Sequence, residues 1–328
     1  MFMDKAKRTE VNRAVTFILD NKALLILLIL GTAIQILTGG LFLNASNISS
    51  IVRQISTSVV LGVGFTAVLA SGGVDLSVGQ MLSLMGILYA HYTLLMPLPL
   101  AILAALLSSV LLGCLNGVLS VTFRLPAFIV TLATAQVFKG FAYLLCDGKS
   151  VGGLSNAVKK LGSGIVFGVP VSAIVVLVLA AIMAIMLHRT KLGRHIIATG
   201  GNAAAAKASG VRVERIQILG YVLMGICVAI AAMLLTGRVS TALPGAGEGM
   251  EMDAIAATII GGTPMSGGYA KVSGTIFGCL IIGIINNGLN LLDVSSFWQW
   301  VAKGAVIIFA ILIDAQTERF FNKRRVAL

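Results

Sequence analysis

The chain reads as an all-α integral membrane protein of about ten transmembrane helices, an inverted repeat of two five-helix halves. Three observations carry that reading. Mean hydropathy is +1.00, with 58% hydrophobic and only 11% charged residues, whereas a soluble domain has about a quarter charged. The apolar runs last about twenty residues without the two-residue alternation of an outer-membrane barrel, so they are helices. Glycine-rich breaks interrupt the apolar sequence. Irregular backbone at membrane depth survives only where protein or a water-filled cavity satisfies it. Five spans per half, an odd number, would turn the second half over relative to the first.

The first span, Ala23 to Phe42, follows a polar leader (1–22) carrying Lys5, Lys7, Arg8, Arg13 and Lys22. It lacks a small-residue cleavage pattern and is expected to remain as a span. Gln54 to Ala70, Met81 to Met96, Leu98 to Val121 and Phe128 to Leu145 complete the first half. Val169 to Leu187, Ile218 to Thr236, Ala254 to a break near Gly262, Val272 to Leu291, and Gln299 to Ile313 form the second. The transmembrane domain thus occupies 23–314, and a basic tail follows at 315–328. Ser-Gly-Gly recurs at 71 and 266, and Lys-Gly at 139 and 303, a faint internal similarity.

Charge places the loops. Lys and Arg accumulate in short cytoplasmic segments. With both termini inside, the leader, Arg124, Lys271, the tail's Arg319, Lys323, Arg324 and Arg325, and a central loop lie on one side. Arg53, Lys149, Lys159, Lys160 and Arg238 lie on the other. The central loop, 188–217, carries Arg189, Lys191, Arg194, Lys207, Arg212 and Arg215 against one acid, Glu214. Within it Asn202, Ala203, Ala204, Ala205, Ala206, Lys207 and Gly210 spell a short capped helix: an Asn N-cap, a run of the best helix former, and a closing glycine. Two turns are marginal alone, so a docking partner is expected.

Three breaks point to a translocation pathway. Ser71 to Gly79 contains Gly72, Gly73, Asp75 and Gly79; Leu243 to Gly249 leads into Glu251 and Asp253; Gly261 to Gly268 opens on Gly261 and Gly262. Within the spans the amides of Asn116, Gln136, Asn286 and Asn287 both donate and accept, which suits a hydroxylated solute passing weakly, or interhelical bonding. Lys139 is the exceptional mid-span charge, read as either snorkelling or solute-facing. Phe297, Trp298 and Trp300 read as an aromatic belt.

Other chemistries find no support. The net charge of +12 lies between spans and at the termini, with no aromatic interleaving for nucleic acid. Cys114, Cys146, Cys227 and Cys279 lack metal or disulfide spacing. Gly148-Lys149-Ser150 ends like a phosphate-binding loop but has Tyr143 where that loop needs glycine. No catalytic, metal or ATP site is expected in this chain.

Four stretches, SGGVDLSVGQ (71–80), TKLGRHIIATGGNAAAAKASGVRV (190–213), DAIAATIIGGTPMSGG (253–268) and the run 274–314, resemble the permease subunit of bacterial ABC importers for ribose, galactose and related monosaccharides. The resemblance implies a ten-helix permease paired with an identical or related second copy. Two ATPase subunits, which hold ATP and Mg, and an extracytoplasmic sugar-binding protein would complete it. The central loop then looks like the coupling helix that docks on the ATPase. It departs from the family's Glu-Ala-Ala, because Ala203 stands at the glutamate position before Ala204 and Ala205. Related permeases carry nucleosides or branched-chain amino acids, so the same machinery with such a cargo stays open. An independent channel or secondary carrier is the alternative of another class.

Overall fold

The structure is a computed structural model that describes residues 22–295, 297–302, 304, 305 and 308. The leader up to 21, the tail 315–328 and most of the expected span Gln299–Ile313 lie outside the described residues.

Twelve helices and one short hairpin make up the named elements: α1 (Lys22–Leu37), α2 (Ala45–Ala70), α3 (Val78–Leu95), α4 (Leu98–Val121), α5 (Ala127–Leu144), α6 (Asn156–Ser163), β1 (Ile165–Val166), β2 (Val169–Pro170), α7 (Val171–Arg189), α8 (Lys191–Gly201), α9 (Ala203–Ala208), α10 (Val213–Val239), α11 (Met250–Ile260) and α12 (Val272–Leu291). Apolar sequence in lipid has no water to satisfy its backbone, so helix is the only open-ended solution. Punctuation sets the starts. Asn44 accepts from Ser46 N–H at 3.2 Å to cap α2, and Pro97, Pro126 and Pro170 occupy the N-cap positions of α4, α5 and α7, where proline's missing N–H costs nothing.

Among the described residues seven helices, α2, α3, α4, α5, α7, α10 and α12, are long and apolar enough to cross a membrane. The other expected spans fall short as described. In α1 the apolar helix is Ile26–Leu37, and α11 has 11 residues, about 16 Å of rise or roughly half a bilayer. The helix expected from Val169 begins at Val171, because Val169–Pro170 instead pairs with Ile165–Val166 as an antiparallel hairpin.

Helices α2 and α10 form the buried centre, with Leu61, Val63, Phe65, Val68, Met224 and Val228 fully enclosed. Small residues let the backbones touch. A Cβ at Gly117 of α4 would stand 3.1 Å from Ile218 Cα of α10, and one at Gly113 would strike Tyr221's carbonyl. Gly274 and Gly278 of α12 likewise lie against the backbones of Gly261 and Ala257. Both GxxxG spacings are therefore helix contacts. Hydroxyls finish the seams: Ser109 donates to Gly225 O at 2.6 Å, and Thr66 and Thr275 share a bond of 2.8 Å.

Candidate functional site

At one end of the bundle the central loop folds as an elbow of two short helices. Thr190 accepts from Gly193 N–H at 3.3 Å to start α8. Asn202 then breaks the helix in extended backbone, and its side chain accepts from Ala205 N–H at 2.9 Å to start α9. The end is a Schellman motif: Gly210 N–H donates to Lys207 O and Val211 N–H to Ala206 O, both at 3.0 Å, with Gly210 left-handed at φ 85. Only Ala206 of α9 is buried; Asn202, Ala203, Ala204, Ala205, Lys207 and Gly210 all face outward. Lys207 donates to Glu214 at 2.8 Å, which engages the loop's single acid, while Arg189, Lys191, Arg194, Arg212 and Arg215 are exposed around it. The result is a small-residue helix in a basic field.

The elbow is joined to the bundle by glycine. At Gly200, near the end of α8, a Cβ would strike Ala70 O at the end of α2 and stand 2.7 Å from Gly268 N. A Cβ at Gly267 would be 3.1 Å from the Cα atoms of both Gly200 and Gly72, and Gly268 N–H donates to Ala70 O at 3.1 Å. Three separated Gly-Gly pairs, at 72, 200 and 267, thus meet backbone to backbone. Gly72, Gly262, Gly267 and Gly268 all have positive φ.

Above this joint the break 71–77 climbs to the start of α3. Asp75 is fully buried, and its Oδ1 accepts from Ser77 N–H at 3.0 Å and Ser77 Oγ at 2.6 Å. Asn116 of α4 donates to Ser77 Oγ at 2.7 Å, and Tyr221 donates to Val74 O at 3.1 Å. Gly73 packs under that tyrosine: a Cβ there would be 3.2 Å from its hydroxyl oxygen. Asn116 is therefore part of a buried knot holding the break in shape, not of an open face.

The break before α11 meets the start of α3. Gly247 N–H donates to Ser83 Oγ at 2.9 Å, and a Cβ at Gly79 would strike the Glu251 carboxylate and Gly247 O. The N-terminal ends of α3 and of the short helix α11 thus lie against one another, with Asp253 in the first turn of α11. Beside them runs the exposed side of α5, where Gln136 and Tyr143 are exposed and Lys139 is half-buried. Lys139 Nζ lies 3.4 Å from Glu248 Oε1, and a Cβ at Gly245 would be 3.3 Å from the Tyr143 hydroxyl. Among the described residues no hydrogen-bond partner reaches Gln80 Oε1 or Glu251 Oε2. Gln136, Lys139, Tyr143 and Glu248 make one polar face. Elsewhere the exposed side of α4 shows Leu100, Leu103, Leu107, Leu111 and Leu115, and that of α7 shows Ile174, Leu177, Val178, Ile182 and Ile185.

The other amides lie apart. Asn287 exchanges two bonds with Asn47, at 2.9 and 3.0 Å, tying α12 to α2. Asn286 is half-buried on the same helix. Gly261 abuts Gly274. Glu248 is the residue that sequence reasoning missed; it lies 109 positions from its lysine, and only an acid in a glycine-rich break signalled it. No group of three metal-ligating side chains occurs among the described residues.

Residues 47–311 match the family model described as the permease component of branched-chain amino acid transport systems. The chain is 42% identical over 276 residues to the ribose import permease protein of Bacillus subtilis, covering 83% of this chain and 86% of that protein. It is 38% identical over 303 residues to the ribose import permease protein of Haemophilus influenzae, covering 91% and 94%. With the xylose transport system permease protein of Escherichia coli K12 it shares 33% identity over 345 residues, covering 86% and 88%. No solved structure was found to match the chain.

Proposed function

The chain belongs to the permease family of ribose-type monosaccharide ABC importers, and from that premise we propose that it forms the membrane pathway for a monosaccharide in an ATP-driven importer. The observation that carries the reading is the polar face of Gln136, Lys139, Tyr143 and Glu248 on an otherwise apolar surface. A charged side chain turned to lipid costs about 3 kcal/mol or more at mid-membrane. Such a face belongs against water or protein. A second copy of the permease meeting it across a two-fold axis would enclose a channel lined twice by the same residues. Amide, ammonium, phenol and carboxylate groups can all exchange hydrogen bonds with sugar hydroxyls as these shed water.

The elbow supplies the drive. ATPase subunits, which hold the ATP and Mg, would seat α9 in an acidic-rimmed groove; their closure would move α8 and α9 as a rigid body. Because Gly200 touches Ala70 and Gly268, that movement reaches the end of α2 and the glycine-rich segment between α11 and α12 directly. The contact between Gly79 at the start of α3 and Gly247 in the break before α11 would then open alternately to each side. An extracytoplasmic binding protein would deliver sugar at the end opposite the elbow. We place both termini on the elbow side and count ten spans, with α1, α11 and 299–313 completing the seven long ones.

The test is reconstitution with the ATPase and binding-protein partners that co-purify with the chain, in vesicles loaded with ATP. ATP-dependent accumulation of ribose or a related monosaccharide is expected. Accumulation of leucine or a nucleoside instead would keep the machine and change the cargo. Solute movement by the chain alone, without ATP or ATPase, would overturn the proposal.

A further inference from the structure

We propose that the hairpin β1–β2 is a lipid anchor, seating Phe167 in the membrane leaflet opposite the elbow. Val166 pairs with Val169, so Phe167 and Gly168 form a two-residue turn, with φ of 50 and 79. Two left-handed residues in succession define the type I′ turn, whose first position favours Asn, Asp or Gly. A bulky residue there is an outlier. Phe167 is also completely exposed, at 102%, with Ile165, Val166 and Val169 exposed beside it. Among the described residues nothing covers the side chain.

The bundle fixes where the hairpin sits. It leads straight into α7, whose 19 residues rise about 28 Å, close to the hydrocarbon thickness. The elbow begins at the other end of that helix, so the hairpin lies at the opposite membrane surface. Helix α6 holds its base in place. A Cβ at Gly162 would strike the backbone of α10 at Leu234 and Arg238, and Arg53 donates to Ser163 O at 3.4 Å.

Lipid is the occupant the surroundings select. The exposed side of α7 below the hairpin is apolar at Ile174, Leu177, Val178, Ile182 and Ile185, without the polar groups that mark α5. The hairpin's apolar residues continue that lipid-facing surface into the interface. Lys160 is exposed on the adjoining helix, with Lys159, Arg53 and Arg238 half-buried nearby in the fold, so lipid phosphate is matched by positive charge. An apolar tip beside lysines is the composition of an interfacial anchor.

The experiment places tryptophan at the tip. Trp298 and Trp300 are the chain's two tryptophans; with both changed to Phe, Phe167→Trp gives one reporter in the full chain, in phosphatidylethanolamine–phosphatidylglycerol vesicles. Blue-shifted emission is expected, quenched by lipids brominated high on the acyl chain and insensitive to iodide. Emission that iodide quenches and bromolipid does not would overturn the proposal, as would protection that appears only when the binding protein or a second permease copy is added. The unaltered chain offers a check independent of the substitutions. A carbene probe generated in the lipid phase should label residues 164–170 several-fold more than the exposed alanines of α9; equal labelling would sink the idea.

Discussion

Gly210 shows how one backbone angle can set the end of a helix. A Cβ there would meet nothing within 4 Å, so space does not demand glycine. The left-handed φ of 85 does, and both closing bonds of the Schellman motif depend on it. Gly210→Val should cost about 1–2 kcal/mol locally and unravel the last turn of α9, while Gly210→Asn, which tolerates the left-handed region, should keep it. The expected outcome is a Val variant that stays in the membrane with its ATPase but loses ATP-dependent sugar uptake, beside a nearly normal Asn variant. Full uptake by the Val variant would disprove the role given to α9. Asp75 presents the complementary case, in which a side chain stands in for secondary structure. Asp75→Ala leaves the Ser77 N–H and hydroxyl without their acceptor inside the bundle, a loss of about 1–3 kcal/mol. Asp75→Asn keeps an oxygen in place. Thermal unfolding of the purified protein should show a clear drop for Ala and a small one for Asn; equal midpoints would mean the knot does not hold the break.

Between elements, two neighbouring glycines separate contact from conformation. Gly200 and Gly201 are both helical, yet a Cβ at Gly200 would strike backbone at Ala70 and Gly268, while one at Gly201 would rest 3.6 Å from Gly268 Cα, an ordinary contact. Backbone cannot step aside as a side chain can. Gly200→Ala should therefore destabilise by about 1–3 kcal/mol, as overpacking does, and raise amide exchange along α8; Gly201→Ala should leave both unchanged. Matching behaviour would dissolve the joint between elbow and bundle. This joint also marks where sequence reasoning stops. Helix α9 was legible because its Asn cap, alanines and closing glycine are local signals. Helix α8 was not separable, since Gly200-Gly201 reads as loop, and only the approach of Ala70 and Gly268 explains glycine inside a helix. The long spans were legible from apolar length. The hairpin straddles the start of the span expected from Val169, and its signals, Gly164, Gly168 and Pro170, read equally well as the loop before a helix. Lys139 stood out as a charge in a span, but its pairing with Glu248 is a property of the folded chain.

For the whole molecule, the decisive contrast is between two exposed sides that composition alone would class together. Helices α4 and α5 are both peripheral. Along α4 the exposed residues are leucines at turn spacing, a side that lipid satisfies fully. Along α5, among exposed Leu132, Val137, Phe141 and Leu144, runs a strip of Gln136, Lys139 and Tyr143, with Glu248 reaching across from the break before α11. A bilayer would penalise that face, so in the working assembly it should border water or the partner copy. A Gln136→Cys thiol should then react with a charged, membrane-impermeant maleimide in vesicles, and cross-link to the partner copy with a short bifunctional reagent. Leu107→Cys, 57% exposed in the isolated chain, should do neither, because in the membrane that exposure is to hydrocarbon, where a charged reagent does not partition and a thiol does not ionise. Both are read against the unaltered chain, whose four cysteines set the background. Equal reactivity at the two positions would remove the polar face from the pathway. Reaction at the leucine position alone would mean that water, and the solute with it, runs along α4.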